Sequence, residues 1–161
     1  MGVDREGKRV SLSAATFFCR LIANFKVDVD GLDIHFLHLK GSSSKGRAII
    51  LTHGWPGSVL EFLDAAEKLA WPDRFGGKAE DGFDIVIPSL PGYGFSGKPV
   101  SPMGPRDVAK VWRQLMTQVL GYQNFFAQGG DWGAAVSSWL GAEHSDVVKA
   151  IHLNMLDNYS N

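Results

Sequence analysis

The sequence holds a single cysteine, Cys19, so no disulfide can form within the chain, and its apolar neighbours suit a buried structural thiol in a reducing compartment. An excess of charge of either sign is also missing. A formal net charge of −1 removes the electrostatic case for nucleic acid or an anionic membrane as partner. No run approaches the ~20 apolar residues of a membrane span. The only candidate for a signal core, residues 11–19, is short, contains polar residues and is closed by Arg20. Met1-Gly2 would suit myristoylation, but Glu6 stands where that pattern wants Ser or Thr. These absences describe a soluble protein, cytoplasmic or otherwise intracellular. No His, Cys or carboxylate pair has metal-ligand spacing supported by its context, so neither a metal nor a cofactor is expected. Repeats and an interdomain linker are absent too, and 161 residues suit one domain with a core.

What is present is an ordered series of apolar runs. Residues 13–22 carry Ala14, Phe17, Phe18, Leu21 and Ile22 at helical spacing behind Ser13. Residues 25–30 and 32–39 alternate apolar and polar around Asp30-Gly31, a hairpin signal. Residues 48–51 form a continuous apolar run, as expected of a strand buried on both faces. The spacing then predicts a helix over 59–70, an exposed loop over 71–82 and a strand over 83–88. A helix over 105–120 closed by Gly121, a strand over 124–127, a helix through Leu140 and a strand over 147–153 follow. Strand–helix alternation demands a parallel sheet with right-handed crossovers. Ligands bind beyond the carboxyl ends of such strands. Residues 53–58, 90–96 and 130–133 all fall there, so three unusual loops are expected on one rim.

The segment Gln128-Gly129-Gly130-Asp131-Trp132-Gly133 sets an acid at a strand-to-helix turn, with glycine two residues before it and two after. Such an elbow strains its central residue and needs small neighbours. A carboxylate there can attack without a base near neutral pH, leaving an ester to be cleaved. The plainer alternative is a glycine-rich turn whose Asp caps the next helix.

His53-Gly54-Trp55-Pro56, Pro91-Gly92-Tyr93-Gly94-Phe95-Ser96 and Gly130-Asp131-Trp132-Gly133-Ala134, in this order, resemble the epoxide hydrolases of the α/β-hydrolase fold, above all the microsomal-type branch. Phe25-Lys26-Val27-Asp28 and Gly31-Leu32-Asp33-Ile34-His35-Phe36 resemble the entry of that branch into its catalytic domain. The resemblance runs from about residue 25 to 156. It implies a partial α/β-hydrolase fold over 25–161, a mostly parallel sheet with an N-terminal antiparallel hairpin. Residues 1–24 would be the remnant of a helical N-terminal region.

By the same resemblance Asp131 is the nucleophile, and the backbone N–H groups of Trp55 and Trp132 are oxyanion donors. The rings of Trp55 and Trp132 would contact a small apolar or aromatic epoxide, whose product is a vicinal diol. Detoxification and aromatic hydrocarbon catabolism are the roles this implies. His53 would hold backbone in the oxyanion loop. The family also needs lid tyrosines, an acid and a catalytic His. Tyr93, Tyr122 and Tyr159 match no lid position, Asp157 would have no His to orient, and the sequence ends at Asn161. The expectation is therefore a truncated chain with little turnover alone, whose last strand leaves an apolar edge open to self-association. A haloalkane dehalogenase is the nearest rival, although its loop typically carries Asn where Trp55 stands. The other reading is a non-catalytic truncated product acting through its sheet edge.

Overall fold

The hairpin forms at Asp30-Gly31. Strand β1 (Ala23–Val29) pairs antiparallel with β2 (Leu32–Leu39), and the two residues between them adopt φ of 58° and 80°. Two consecutive positive φ values make the hairpin turn whose twist matches that of the strands. The Asp28 carboxylate accepts the Gly31 N–H at 3.1 Å and fixes the loop. The computed structural model describes residues 2–3, 9–10, 23–43 and 45–155. The helix expected over 13–22, Cys19, Asp157 and Tyr159 lie outside them. Gly2–Val3 and Arg9–Val10 form a short antiparallel pair of their own.

The remaining apolar runs become β3 (Ala48–Thr52), β4 (Asp84–Pro88), β5 (Phe125–Gly129) and β6 (Val148–Leu153). Their order across one six-stranded sheet is β1-β2-β4-β3-β5-β6. Strand β2 meets β4 antiparallel, and the β4-β3, β3-β5 and β5-β6 pairs are parallel. Strand β5 runs two residues beyond its apolar core, because Gln128 and Gly129 stay in register with Leu51 and Thr52. That extension carries the strand directly into the elbow.

Helix α1 (Leu63–Ala70) covers one face of the sheet. Helices α2 (Pro105–Gln114) and α3 (Trp132–Glu143) cover the other, packing Trp112, Leu115, Val136 and Leu140 on Ile50, Phe125 and Ala127. The chain thus leaves β3 toward one edge, returns past it to β5, and reverses strand order between them. The carboxyl ends of β3 and β5 form the switch point where open α/β sheets take ligands.

Two helices depart from simple periodicity. The expected 59–70 helix opens with a 3₁₀ turn (Val59–Phe62), where Ser58 Oγ accepts the Leu60 N–H, before α1 begins. Helix α2 widens at its end into a π turn (Leu115–Val119), which lets the adjacent Leu115 and Met116 both bury fully. Gly121, at φ 76°, then ends it as expected. The 71–82 loop contains short 3₁₀ turns, Pro72–Phe75 and Ala79–Asp81. On the sheet edge β6 pairs only with β5 among the described residues, and Ala150, Ile151 and His152 are exposed.

At the end of the sheet opposite the switch point lies a buried polar network. Tyr122 Oη donates to Asp84 Oδ2 at 2.8 Å, Lys40 Nζ donates to the same oxygen at 2.7 Å, and the Gly41 N–H donates to Oδ1 at 2.9 Å. Burial raises the Asp84 pKa, but the hydrogen bonds from Lys40, Gly41 and Tyr122 outweigh it and leave the carboxyl below its ordinary range. Burial, above all, pushes the Tyr122 phenol up to about 12. A phenol raised in the folded state contributes stability that is complete below its unfolded pKa of ~10 and is lost as pH rises toward the folded value. Tyr122→Phe is expected to cost about 1–3 kcal/mol at neutral pH by removing a donor from a buried carboxylate. Urea denaturation measures that loss, and the variant should also show a shallower fall in stability above pH 10.

Candidate active site

Strand β5 ends at Gly129, and Asp131 bridges to α3 at φ 52° and ψ −127°. A residue with a side chain resists this region at a cost of roughly 1–3 kcal/mol, so the surroundings must hold it there. They do so by close approach. A Cβ on Gly133 would strike the Thr52 carbonyl, and one on Gly129 would strike the carbonyl of Gly133. On the other side a Cβ on Gly54 would run into the Asp131 carboxylate. The elbow, the end of β3 and the following loop therefore touch backbone to backbone.

This contact brings the Trp55 N–H to Asp131 Oδ1 at 2.6 Å. Asp131 makes no side-chain cap into the first turn of α3, so the plainer capping reading does not describe it. The Trp55 N–H, and after it the Trp132 N–H, hold the carboxyl below its ordinary range. Asp131 is exposed and ionised at neutral pH, with the Trp55 N–H hydrogen-bonded to Oδ1 and the Trp132 N–H next to it in sequence. It is an anion that needs no base to become a nucleophile.

His53 is fully buried and both of its ring nitrogens are engaged. The Leu90 N–H donates to Nε2 at 3.1 Å, which leaves Nδ1 to carry the hydrogen and donate to the Gly54 carbonyl at 3.0 Å. It clamps the Gly54-Trp55 loop to the end of β4 and has no free lone pair for a water. Tyr93 packs edge-on against it at 5.4 Å. The 90–96 loop is pinned in turn by Ser96 Oγ, which accepts the His35 N–H at 3.0 Å and donates to the Ser89 carbonyl at 2.8 Å. Burial lowers the pKa of His35, and its ring is occupied by Ser89 and Asn24. His38 lies with Tyr122 at the far end of the sheet, and His144 ends α3.

The three loops expected on one rim are joined there through His53, and the first and third of them border a cleft of about 490 Å³ lined by Trp55, Glu61, Gln128, Gly130, Asp131 and Asn154, which the 90–96 loop does not line. Trp55 is 67% exposed and lines the cleft, whereas Trp132, 46% exposed, and Phe95, 73% exposed against His35, do not line it. Neither tryptophan is core. Glu61, Gln128 and Asn154 were not singled out by sequence. The rule that strand carboxyl ends face the ligand would have found Asn154, which follows β6 directly.

A family model described as alpha/beta hydrolase fold matches residues 47–160, and one described as epoxide hydrolase N terminus matches residues 14–62. The chain belongs to the α/β-hydrolase fold family, in its epoxide hydrolase group. Epoxide hydrolase 1 of Oryctolagus cuniculus is 41% identical over 138 residues, covering 82% of this chain and 30% of the rabbit protein. The Aspergillus niger epoxide hydrolase structure superposes with a TM-score of 0.76 at 34% identity, over 91% of this chain and 37% of that one. The juvenile hormone epoxide hydrolase of the silkworm Bombyx mori gives 0.75 at 34% identity, over 91% and 34%. The chain spans about 30% of the length of the curated relatives it matches. No helix among the described residues is long and apolar enough to cross a membrane.

The elbow geometry makes a direct demand on this epoxide hydrolase relative. Gly133→Ala should cost about 1–3 kcal/mol in urea denaturation, because the new methyl must push β3 and α3 apart.

Proposed function

We propose that this chain carries the nucleophile and oxyanion side of an epoxide hydrolase. The observation that carries the reading is the Trp55 N–H on Asp131 Oδ1 at 2.6 Å, made by an elbow whose acid is exposed to the cleft. With Oδ1 held by that donor, Oδ2 is the attacking oxygen. It forms a bond to one epoxide carbon, the ring C–O bond on that carbon breaks, and the released alkoxide takes a proton from water. Oδ1 is now the carbonyl oxygen of a hydroxyalkyl ester and already sits in the donor cradle. Water adding to the ester carbon places negative charge on Oδ1, where the Trp55 and Trp132 N–H groups stabilise it. Collapse of that intermediate releases the diol and restores the carboxylate. One oxyanion donor is typically worth ~10²–10³ in rate.

The exposed Trp55 and the neighbouring Phe62 at the cleft support a small apolar or aromatic epoxide as substrate. The one histidine among the described residues that lines the cleft, His53, has both ring nitrogens engaged, so ester cleavage by these residues alone is slow and the ester accumulates. The exposed edge of β6 supports self-association as a further property of the chain, read by sedimentation against concentration.

Intact-mass spectrometry with styrene oxide tests the reaction. The chain should gain the whole mass of the epoxide, since ring opening expels no leaving group, and peptide mapping should place the gain on Asp131. Asp131→Ala should gain nothing; equal labelling of that variant sinks the reading. Because the Trp55 and Trp132 amides depress the Asp131 pKa, the labelling rate should stay flat from pH 8 to about pH 5, and fall only below the ordinary carboxylate value of ~3.9.

A further inference from the structure

Strand β5 is flanked at the rim by β3, which supplies the Trp55 loop, and by β6, which ends at Leu153 and is followed by Asn154. The Asn154 N–H donates to the Gly129 carbonyl at 3.4 Å, which ties this residue to the last position of β5. Its side chain lies over the residue immediately before the nucleophile. A Cβ on Gly130 would strike Asn154 Oδ1 and crowd Nδ2, so glycine at 130 leaves room for this amide. Asn154 is exposed and lines the same cleft as Asp131. The two flanks of the nucleophile therefore differ. The β3 flank presents a backbone donor, whereas the β6 flank presents a side-chain amide that can both donate and accept.

The chemistry decides which step such a group can serve. In ring opening, the epoxide oxygen departs on the far side of the attacked carbon from Oδ2, away from Gly130 and the base of the elbow. A side chain packed against Gly130 cannot follow it. In ester cleavage, by contrast, the reacting centre is the Asp131 carboxyl carbon, which stays beside Gly130. Water approaching that carbon from the β6 flank meets the Asn154 amide. We propose that Asn154 binds the hydrolytic water, its Oδ1 accepting a hydrogen bond from the water as the water oxygen adds to the Asp131 ester carbon. The amide takes no proton: the one released as water adds passes to solvent, and Oδ1 of Asp131 carries the charge until collapse expels the diol. This assignment rests on the epoxide reading of Asp131.

The test follows the Asp131 adduct of styrene oxide in the whole chain by intact mass, first as it forms and then, after excess epoxide is removed, as it decays in ¹⁸O-labelled water. Wild type should decay with ¹⁸O entering the Asp131 carboxylate. In Asn154→Ala the ratio of decay to formation should fall about tenfold or more, since a water held in place is replaced by one that must be found. Asn154→Asp keeps an acceptor oxygen at the same place, and its adduct should decay at least as fast as that of wild type. A role limited to supporting the elbow would slow formation in both variants and leave decay alone, which overturns the proposal. Equal decay of wild type and Asn154→Ala overturns it as well, including the case in which neither adduct decays. Absence of any wild-type adduct on Asp131 instead removes the epoxide reading, and this assignment with it.

Discussion

The site depends on one close approach, that of the first turn of α3 to the carbonyl of Thr52, with no room for a side chain at position 133. It follows from sheet register. Thr52 pairs with Gly129, so β3 and β5 end level, and the loop leaving one strand faces the elbow leaving the other. A slip of one residue would move Trp55 by about 3.3 Å and turn the flanking side chains to the opposite face. The hydrogen bond from Trp55 to Asp131 would be lost without any change in the residues that make it. Packing of Ile50 and Ala127 beneath α2 and α3 is what forbids that slip. The core thus reaches the chemistry through register and not by contact.

Four carboxylates among the described residues are held below their ordinary pKa, Glu143 and Asp146 by surface arginines, and Asp84 and Asp131 by causes that separate a structural acid from an exposed one. Asp84 is buried, and both its oxygens are occupied by Lys40, Tyr122 and the Gly41 N–H. It has nothing left to offer a substrate. Asp131 is exposed, and only backbone amides depress its pKa. No cation among the described residues pairs with it, so its charge remains available to an electrophile. The two also sit at opposite ends of the parallel strands, one where the strands begin and the other where they finish. A depressed pKa alone would not have told them apart; exposure and the identity of the donors do.

Much of this architecture was legible in the sequence because it rests on local rules. Asp30-Gly31 turns the hairpin, unbroken apolar runs become buried strands, and Gly129 and Gly133 bracket the elbow. The convergence of three loops followed from strand–helix alternation. Other features escaped because they depend on partners distant in sequence. The order that sets β3 beside β5 and β4 beside β2 has no local cause. The 3₁₀ opening at Val59 and the π turn at Leu115 are adjustments of helical register to the sheet beneath, and periodicity alone reads through them. Tyr122 looked like an unplaced tyrosine; its partners Lys40 and Asp84 lie 82 and 38 residues away. Asn154 follows a strand that carried no motif, and the clue lay in Gly130, whose missing side chain makes space for it.

In the reaction proposed above, the donors at Trp55 and Trp132 would also constrain what kind of electrophile this acid attacks. Before reaction they stabilise the carboxylate, which lowers its pKa and with it its nucleophilicity. Groups that bind the ground state as well as the transition state do not accelerate the step between them. The first step therefore gains little from the cradle and must draw its driving force from the substrate, as a strained three-membered ring can provide. Once the proposed ester had formed, the same oxygen would be neutral, and the cradle would hold it weakly until water added and charge returned. For the second step the donors are differential, strongest where the barrier lies. This geometry favours cleaving an ester over forming one, and a cradle of that kind suits an acid whose electrophile arrives already activated by strain.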